Sequence, residues 1–249
     1  MSRNYELLQQ AGKERELFQP DLEVRDSTAQ TFSIERNDLG LEGLEREEVT
    51  KLVQRVFLLP GRDVSRVVMF SSAEKGVGCT WVTANAAMVL ASLVPGSVCV
   101  IDANLRSPDL HTQFGFGNNL GLAGAVRQAG PVRDFTQRLG ANLWLMSSGS
   151  DDSSSQTILS SDRMSARIAE LRNEFDYVLV DSPALNLYSD AVVLARHCDG
   201  LVLVLKANSS RRETVQKALK DLSAANVRVL GAVLNQRTFP LPEAIYKRL

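Results

Sequence analysis

The sequence lacks the features that mark a membrane-spanning, secreted or nucleic-acid-binding protein. No uninterrupted apolar run reaches the roughly 18 residues needed to span a bilayer, and the start, MSRNYELLQQAGKERELFQPDLE, has no apolar signal-peptide core. Lysine and arginine total 28 against 29 aspartates and glutamates, so no overall field attracts nucleic acid or anionic lipid. We therefore expect no membrane span and no nucleic-acid partner.

Cysteine is scarce, and its pattern excludes a disulfide framework. The chain has three cysteines, an odd number, and Cys79, Cys99 and Cys198 lie in or beside apolar runs. Such residues are typical of reduced thiols. We expect a cytoplasmic protein.

The length and composition are those of a globular domain with an additional arm. The chain has 249 residues and 44% hydrophobic content, enough for a substantial core. Residues 1–43 are polar and acid-rich without a sustained period, which predicts a flexible N-terminal arm. Residues 44–249 form the predicted domain, which begins with an amphipathic lead-in helix at 45–59 and ends in a tail at 238–249.

Short β-rich runs alternate with helical patterns from residue 66 onward. Most runs are apolar on both faces, which strands tolerate when helices cover both sides of a parallel sheet. The predicted fold is therefore a doubly wound, mostly parallel α/β domain, whose ligands bind at the carboxyl ends of the strands. A serine-rich patch at residues 147–156, SSGSDDSSSQ, predicts a flexible connection after the third strand. The strand runs are RVVMF, SVCVID, NLWLM, DYVLVD, GLVLVL and VRVLGAVLN, and the main helices are predicted at residues 80–93, 164–175 and 213–222.

The segment SSAEKGVGCTW, residues 71–81, has the position of a phosphate-binding loop. It follows a strand and opens a helix, so that backbone N–H groups and the positive helix N-terminus can hold phosphates. In the spacing G-x-x-x-x-G-K-[ST], Gly78 and Thr80 match, whereas Ala73 and Cys79 replace the first glycine and the lysine. Thr80 would place a hydroxyl on Mg²⁺. An ordinary strand-to-helix turn rich in small residues remains open as the alternative.

Two strands that follow this loop each end in an aspartate. CVIDANLR places Asp102, and DYVLVDSP places Asp181, after a run of apolar residues. Carboxylates at these strand ends can reach the metal shell of a bound nucleotide. Each could instead cap a helix.

The chain resembles the bacterial tyrosine autokinases of capsular and exopolysaccharide synthesis, P-loop ATPases related to the partitioning and septum-positioning ATPases, and the resemblance is most specific in its second half. The family motif DADLRRPxLH is matched by DANLRSPDLH at residues 102–111, followed by FGFGNNLGL. Residues 158–191 resemble the family's helix and Walker B strand, and DGLVLVLKANSSRRETV and VRVLGAVLNQR complete the pattern. The resemblance extends from about residue 45 to the end of the sequence.

The resemblance implies a set of site residues, cofactors and partners. ATP and Mg²⁺ are the implied cofactors, with Thr80, Asp102 and Asp181 as the magnesium shell and Asp102 as the candidate catalytic residue that helps the attacking hydroxyl. Asn235 falls where relatives contact the base. The implied partner is a membrane-bound polysaccharide co-polymerase or activator, which would recruit the protein to the inner face of the membrane. A homo-oligomer and an active kinase partner are also open. The implied ATP-binding loop comprises Ala73, Glu74, Lys75, Gly76, Val77, Gly78, Cys79 and Thr80.

The sequence departs from the family pattern in four places. Cys79 replaces the phosphate-binding lysine, and Asn104 replaces the second acidic residue of the D-x-D pair. The family's E-x-x-R-x-x-R assembly motif is not kept, because Glu48, Lys51 and Gln54 occupy those positions. The C-terminal tyrosine cluster is missing: only Tyr246 of the four tyrosines lies in the tail, FPLPEAIYKRL. Arg106 and His111 match family positions but are assigned no chemistry.

Three functions remain open on these residues. The first is a tyrosine-kinase-like ATPase that regulates polysaccharide polymerisation and export. The second is a degenerate, non-catalytic nucleotide-binding or scaffold relative, and the third and weaker is a positioning ATPase of the partitioning type. Lys75, in the same loop, is a candidate to supply the missing charge to the phosphates, since lysine acts as a flexible point charge. Cys79 at a helix N-terminus raises the alternatives of a lowered thiol pKa or an inert small residue.

Overall fold

The computed structural model describes Leu41 and residues 43–59, 65–150 and 155–236. The predicted arm, residues 1–43, lies almost entirely outside these ranges, and the predicted tail, residues 238–249, lies outside them completely. Within the described ranges no helix is both long enough and apolar enough to cross a membrane.

Helices and strands alternate along the described chain. A π-helical turn, Gln54–Leu58, follows the first helix, and a 3-10 turn, Val132–Phe135, precedes the third strand. The strands are β1 Val67–Ser72, β2 Val98–Asp102, β3 Gln137–Arg138, β4 Leu143–Met146, β5 Tyr177–Asp181, β6 Gly200–Lys206 and β7 Val229–Asn235. The helices are α1 Leu44–Val53, α2 Cys79–Leu93, α3 Leu110–Gln113, α4 Leu122–Arg127, α5 Ser155–Leu159, α6 Asp162–Glu174, α7 Ser189–Ala195 and α8 Arg212–Ala224.

The seven strands form one sheet in the order β3-β4-β2-β5-β1-β6-β7. All neighbouring pairs are parallel except β3 with β4. Strands β1, β2 and β5 are adjacent, so their carboxyl ends meet at one edge of the sheet. The predicted doubly wound, mostly parallel α/β fold is confirmed.

Successive residues of β1 are buried on opposite faces of the sheet. Val67 and Met69 belong to one apolar cluster, and Val68 and Phe70 belong to the other. Burial of each such side chain contributes roughly 1.5–3 kcal/mol to the free energy of folding. Both faces of the sheet therefore gain stability from the helices that cover them. This double burial fixes the strand ends that carry the candidate site.

The described elements differ from the sequence-based expectations in two places. The lead-in helix, predicted at 45–59, is α-helical only to Val53 and then widens into the π-helical turn. The serine-rich patch was expected to be flexible, but Ser147 and Ser148 are buried. Their carbonyl oxygens accept hydrogen bonds from the backbone N–H groups of Leu122 and Ala123, which fixes the start of the patch. For these two serines the prediction was wrong.

Candidate functional site

The loop between β1 and α2 has the left-handed backbone of a phosphate-binding loop. Gly76 has φ 75° and Gly78 has φ 80°, a region that L side chains rarely adopt. At Gly78 a second constraint acts, because a Cβ there would lie 2.4 Å from Nδ2 of Asn235. At Gly76 nothing lies within 4 Å of such a Cβ. The two glycines therefore give the loop its shape, and only Gly78 is also packed.

The backbone N–H groups of this loop fit an anion. Those of Gly76, Gly78 and Thr80 donate no hydrogen bond to any other described residue. Unpaired N–H groups at the start of a helix, together with the helix dipole, are the usual protein site for a phosphate. The 15-residue helix α2 begins directly after the loop. The residues present therefore fit a nucleotide phosphate.

Thr80 and Asp181 are in direct contact at the start of α2. Thr80 Oγ1 donates a hydrogen bond to Asp181 Oδ2 at 2.7 Å, and Thr83 Oγ1 lies 3.3 Å from Asp181 Oδ1. Two hydroxyl groups from the first turns of α2 thus lie at the end of β5.

Asp102 lies beside Asp181, because β2 and β5 are paired with these two residues in register. Its carboxylate accepts hydrogen bonds from the backbone N–H groups of Asn104 at 3.0 Å, Asp109 at 3.1 Å and Leu110 at 3.0 Å. It therefore organises the loop that follows β2. The side chain of Asn104 donates to Ser107 O at 2.9 Å within the same loop.

Burial raises the pKa of both aspartates. Desolvation raises the pKa of Asp102 to about 6, against the lowering effect of its three backbone hydrogen bonds. Desolvation, followed by the charge of Asp102, raises the pKa of Asp181 to about 8. Two neighbouring buried carboxyl groups resist ionising together unless a cation offsets their charge. Among the described residues no group of three or more histidine, cysteine, aspartate or glutamate side chains is arranged to hold a metal. A magnesium ion here would take the remaining ligands from a hydroxyl, water and phosphate, as this ion commonly does.

The Cys79 thiol has a raised pKa, not a lowered one. Desolvation is the main cause, and the charge of Asp181 adds to it. Of the two alternatives for Cys79, the lowered thiol pKa is therefore wrong: desolvation and a neighbouring carboxylate outweigh the helix N-terminus.

Asn235, at the end of β7, is bound to the loop. Its Nδ2 donates to Val77 O at 2.8 Å, and its Oδ1 accepts from the backbone N–H of Gln236 at 2.8 Å. The structure thus brings together the loop, Asn235, Asp102 and Asp181 at one edge of the sheet.

Sequence reasoning did not identify the side chains that surround Lys75. Lys75 Nζ lies 5.7 Å from the centroid of the Tyr188 ring, and the Arg106 guanidinium carbon lies 4.1 Å from the same centroid. Arg106 Nη2 also forms an ion pair with Asp190 Oδ2 at 2.9 Å. The family motif had marked Arg106 without assigning it chemistry, but no sequence signal pointed to Tyr188. The remaining family position, His111, has a buried Nδ1 without a hydrogen-bond partner among the described residues.

A protein-family model described as cellulose biosynthesis protein BcsQ matches residues 66–227. The chain belongs to this family. The match begins just before β1 and contains the loop, Asp102 and Asp181, so the family assignment covers most of the candidate site. Asn235 lies beyond it.

Curated relatives connect the family to bacterial tyrosine kinases. Tyrosine-protein kinase YwqD of Bacillus subtilis (strain 168) is 31% identical over 169 residues, which cover 68% of this chain and 71% of that protein. Putative tyrosine-protein kinase CapB of Staphylococcus aureus is 28% identical over 187 residues, which cover 70% of this chain and 82% of that protein. The resemblance to the tyrosine kinases of capsule and exopolysaccharide biosynthesis is confirmed.

Solved structures agree with the relatives. The kinase domain of Escherichia coli tyrosine kinase ETK has a TM-score of 0.66 at 26% identity, with 72% of this chain and 71% of that chain covered. A ParA-family ATPase structure shares only the fold, at 19% identity. The P-loop ATPase architecture is therefore common to both groups.

Proposed function

We propose that this chain is a tyrosine-kinase-like P-loop ATPase that binds Mg·ATP at residues 73–80 and regulates the polymerisation and export of an extracellular polysaccharide. The observation that carries the proposal is the 2.7 Å contact between Thr80 Oγ1 and Asp181 Oδ2, directly beside the unpaired N–H groups of the loop. A paired hydroxyl and carboxylate beside free backbone N–H groups support the proposal, because such groups hold the metal of a bound nucleotide in P-loop sites.

Each part of the site has a distinct role in the proposal. The N–H groups of Gly76, Gly78 and Thr80 bind phosphate oxygens, and Asp102 and Asp181 hold the metal with Thr80. The magnesium ion would neutralise charge on the phosphates. Asn235 fixes the loop through Val77 O and lies at the position expected to contact the base.

Turnover is expected to suffer more than binding. A hydrogen bond to a charged group contributes about 1.5–3 kcal/mol, so loss of the lysine at position 79 weakens ATP binding without abolishing it. Removing a donor aimed at transition-state charge costs on the order of 10² to 10³ in rate. Asp102, the candidate to help the attacking hydroxyl, is held by three backbone N–H groups, and Asn104 beside it carries no carboxylate.

The family relationship supports a polysaccharide system and a membrane-bound partner. A co-polymerase or activator in the membrane would recruit the protein to the inner membrane face from the cytoplasm. The family description names cellulose biosynthesis, whereas the kinase relatives belong to capsule and exopolysaccharide systems, so the proposal names no single polymer.

A non-catalytic scaffold is the second candidate, and the residue at position 79 favours it. Cys79 stands at the lysine position, and the raised pKa of its thiol leaves it without any charge to offer a phosphate. One of the two positions where the family motif has an assembly arginine carries Lys51. This lysine forms ion pairs within its own helix, with Glu47 at 2.8 Å and Glu48 at 3.0 Å. Phosphotyrosine formed by the purified protein, and lost in Asp181→Ala, would exclude the scaffold.

Calorimetric titration of the full chain with Mg·ATP tests the binding function. We expect measurable binding by the wild type and at least tenfold weaker binding by Thr80→Ala, because the variant loses the metal-shell hydroxyl. Thr157→Ala, on the exposed face of α5, is the matched control and should bind as the wild type does. Equal affinity of Thr80→Ala and Thr157→Ala would contradict the proposed site.

A further inference from the structure

Four side chains form a continuous stack beside the phosphate-binding loop. Asp190 is 3% exposed and pairs with Arg106, Arg106 lies over the ring of Tyr188, and the same ring lies under the ammonium group of Lys75. We call this group the Tyr188 stack. It connects α7, the loop after β2 and the phosphate-binding loop.

The Tyr188 stack is held against the end of β1 by the segment after β5. The backbone N–H of Leu185 donates to Ser72 O at 2.8 Å, and Ser71 Oγ donates to Pro183 O at 2.9 Å. These bonds tie the chain that leads to Tyr188 to the last two residues before the loop. The ring is therefore positioned by the same strand end that positions the loop.

The charge balance of the site calls for a cation near the phosphates. Asp102 and Asp181 are acidic, and Cys79 provides no positive charge where the G-x-x-x-x-G-K-[ST] pattern has lysine. Lys75 is exposed and lies inside the loop, only one residue before Gly76. A lysine loses considerable rotamer freedom when it binds, and a ring that already restrains its ammonium group reduces that loss.

We propose that Lys75 supplies the phosphate-binding charge that Cys79 lacks, and that the Tyr188 stack positions it. The inference rests on the proposed function, since it requires nucleotide phosphates in the loop. Lys75 acts as the contacting residue. Tyr188 and Arg106 act as positioning residues, through the cation-π contacts with the ring.

Charge removal in two backgrounds tests the role of Lys75. The dissociation constant for Mg·ATP is measured for Lys75→Ala, for Cys79→Lys and for the double variant. We expect Lys75→Ala to weaken binding about tenfold in the wild-type background, as loss of a hydrogen bond to a charged group does. In the Cys79→Lys background the same change should have an effect of less than about twofold, because the restored lysine makes Lys75 dispensable. Lys220→Ala, an exposed lysine on α8, is the control for charge removal alone and should change nothing.

Substitutions of Tyr188 test the positioning role. Tyr188→Phe keeps the ring and should bind Mg·ATP as the wild type does, whereas Tyr188→Leu should lose about threefold in affinity, since a cation-π contact at an exposed site is weak. The loss in Tyr188→Leu should disappear when Lys75→Ala is also present, because the ring then has no ammonium to position. A purely structural role of Tyr188 would give the same loss with or without Lys75.

The outcomes separate this inference from the proposed function. A wild type that does not bind Mg·ATP overturns both proposals. Binding by the wild type with an unchanged dissociation constant in Lys75→Ala overturns the inference alone. An equal loss on Lys75→Ala in both backgrounds also overturns it, because Lys75 would then act independently of position 79.

Discussion

The side chain of Asn235 occupies the space that a Cβ at Gly78 would need. Its Nδ2 donates a hydrogen bond to Val77 O at 2.8 Å and lies 2.4 Å from the position of such a Cβ. The end of the edge strand β7 thus touches the loop that we propose binds phosphate. Any side chain at position 78 would displace the amide that anchors the loop.

Alanine at the two loop glycines should have unequal effects. Both Gly76→Ala and Gly78→Ala force a left-handed backbone on a residue with a Cβ, at a cost of roughly 1–2 kcal/mol. Gly78→Ala also expels Asn235, so we expect it to reduce the free energy of unfolding by a further 1 kcal/mol or so. Urea denaturation measures the difference. Equal losses of unfolding free energy in Gly76→Ala and Gly78→Ala would contradict a clash between the new Cβ and Asn235. Adding Asn235→Ala to Gly78→Ala should recover part of the lost free energy.

Mg·ATP affinity should rise between about pH 6 and pH 8. The pKa values of Asp102 and Asp181 are raised, to about 6 and about 8, so protons must leave before the pair can bind a cation. Binding therefore releases protons and is favoured as the pH rises through these pKa values. Titration in buffers of different ionisation enthalpy measures the release. Asp181→Asn should release fewer protons than the wild type when it binds Mg·ATP. An unchanged number of released protons in that variant would exclude Asp181 as their source.

The protein without nucleotide should lose stability as the pH rises. A carboxyl group whose pKa is higher in the folded than in the unfolded state binds its proton more tightly when folded. Its contribution is present below the unfolded pKa and disappears as the pH rises from about 4 through about 8. Relative to Asp181→Asn, which cannot ionise, the wild type should lose more than about 1 kcal/mol over this range, since one pKa unit corresponds to about 1.4 kcal/mol. Urea denaturation at several pH values, without magnesium, provides the comparison. Parallel pH profiles for the two proteins would contradict the raised pKa.

All three cysteines should react slowly with iodoacetamide in the folded protein. Desolvation raises the pKa of the Cys79 and Cys99 thiols, and it raises the pKa of Cys198 to about 12. Because the reactive species is the thiolate, a raised pKa slows the reaction. We expect labelling of Cys79 at pH 7.5 to be at least tenfold slower than in the urea-unfolded chain, which serves as the control. Faster labelling of Cys79 than of the unfolded thiol would restore the redox hypothesis.

The strand ends were predictable because their pattern is local. Runs that are apolar on both faces identify buried parallel strands, and the aspartates that end two of them, Asp102 and Asp181, meet because β2 and β5 are neighbours. The contacts that the sequence could not predict join distant residues. The Asn235 bond to Val77 spans 158 positions, and the Tyr188 stack depends on how the segment after β5 crosses the end of β1.

The serine-rich patch and Cys79 illustrate the same limit. Local composition predicts flexibility for a run of serines, but Ser147 and Ser148 are fixed by hydrogen bonds to α4. A helix N-terminus by itself lowers a thiol pKa, but the tertiary neighbour Asp181 and burial reverse the direction at Cys79. In both cases a partner far along the chain decides the outcome.

We propose that residues 73–80 bind Mg·ATP and that Cys79 limits turnover. The most direct measurement is titration of the wild type and of Cys79→Lys with Mg·ATP, followed by an ATP-turnover assay on both proteins. We expect both proteins to bind Mg·ATP, the variant more tightly, and the turnover rate of the variant to be higher by a factor of roughly 10². No binding by the wild type, or equal turnover in the two proteins, would contradict it.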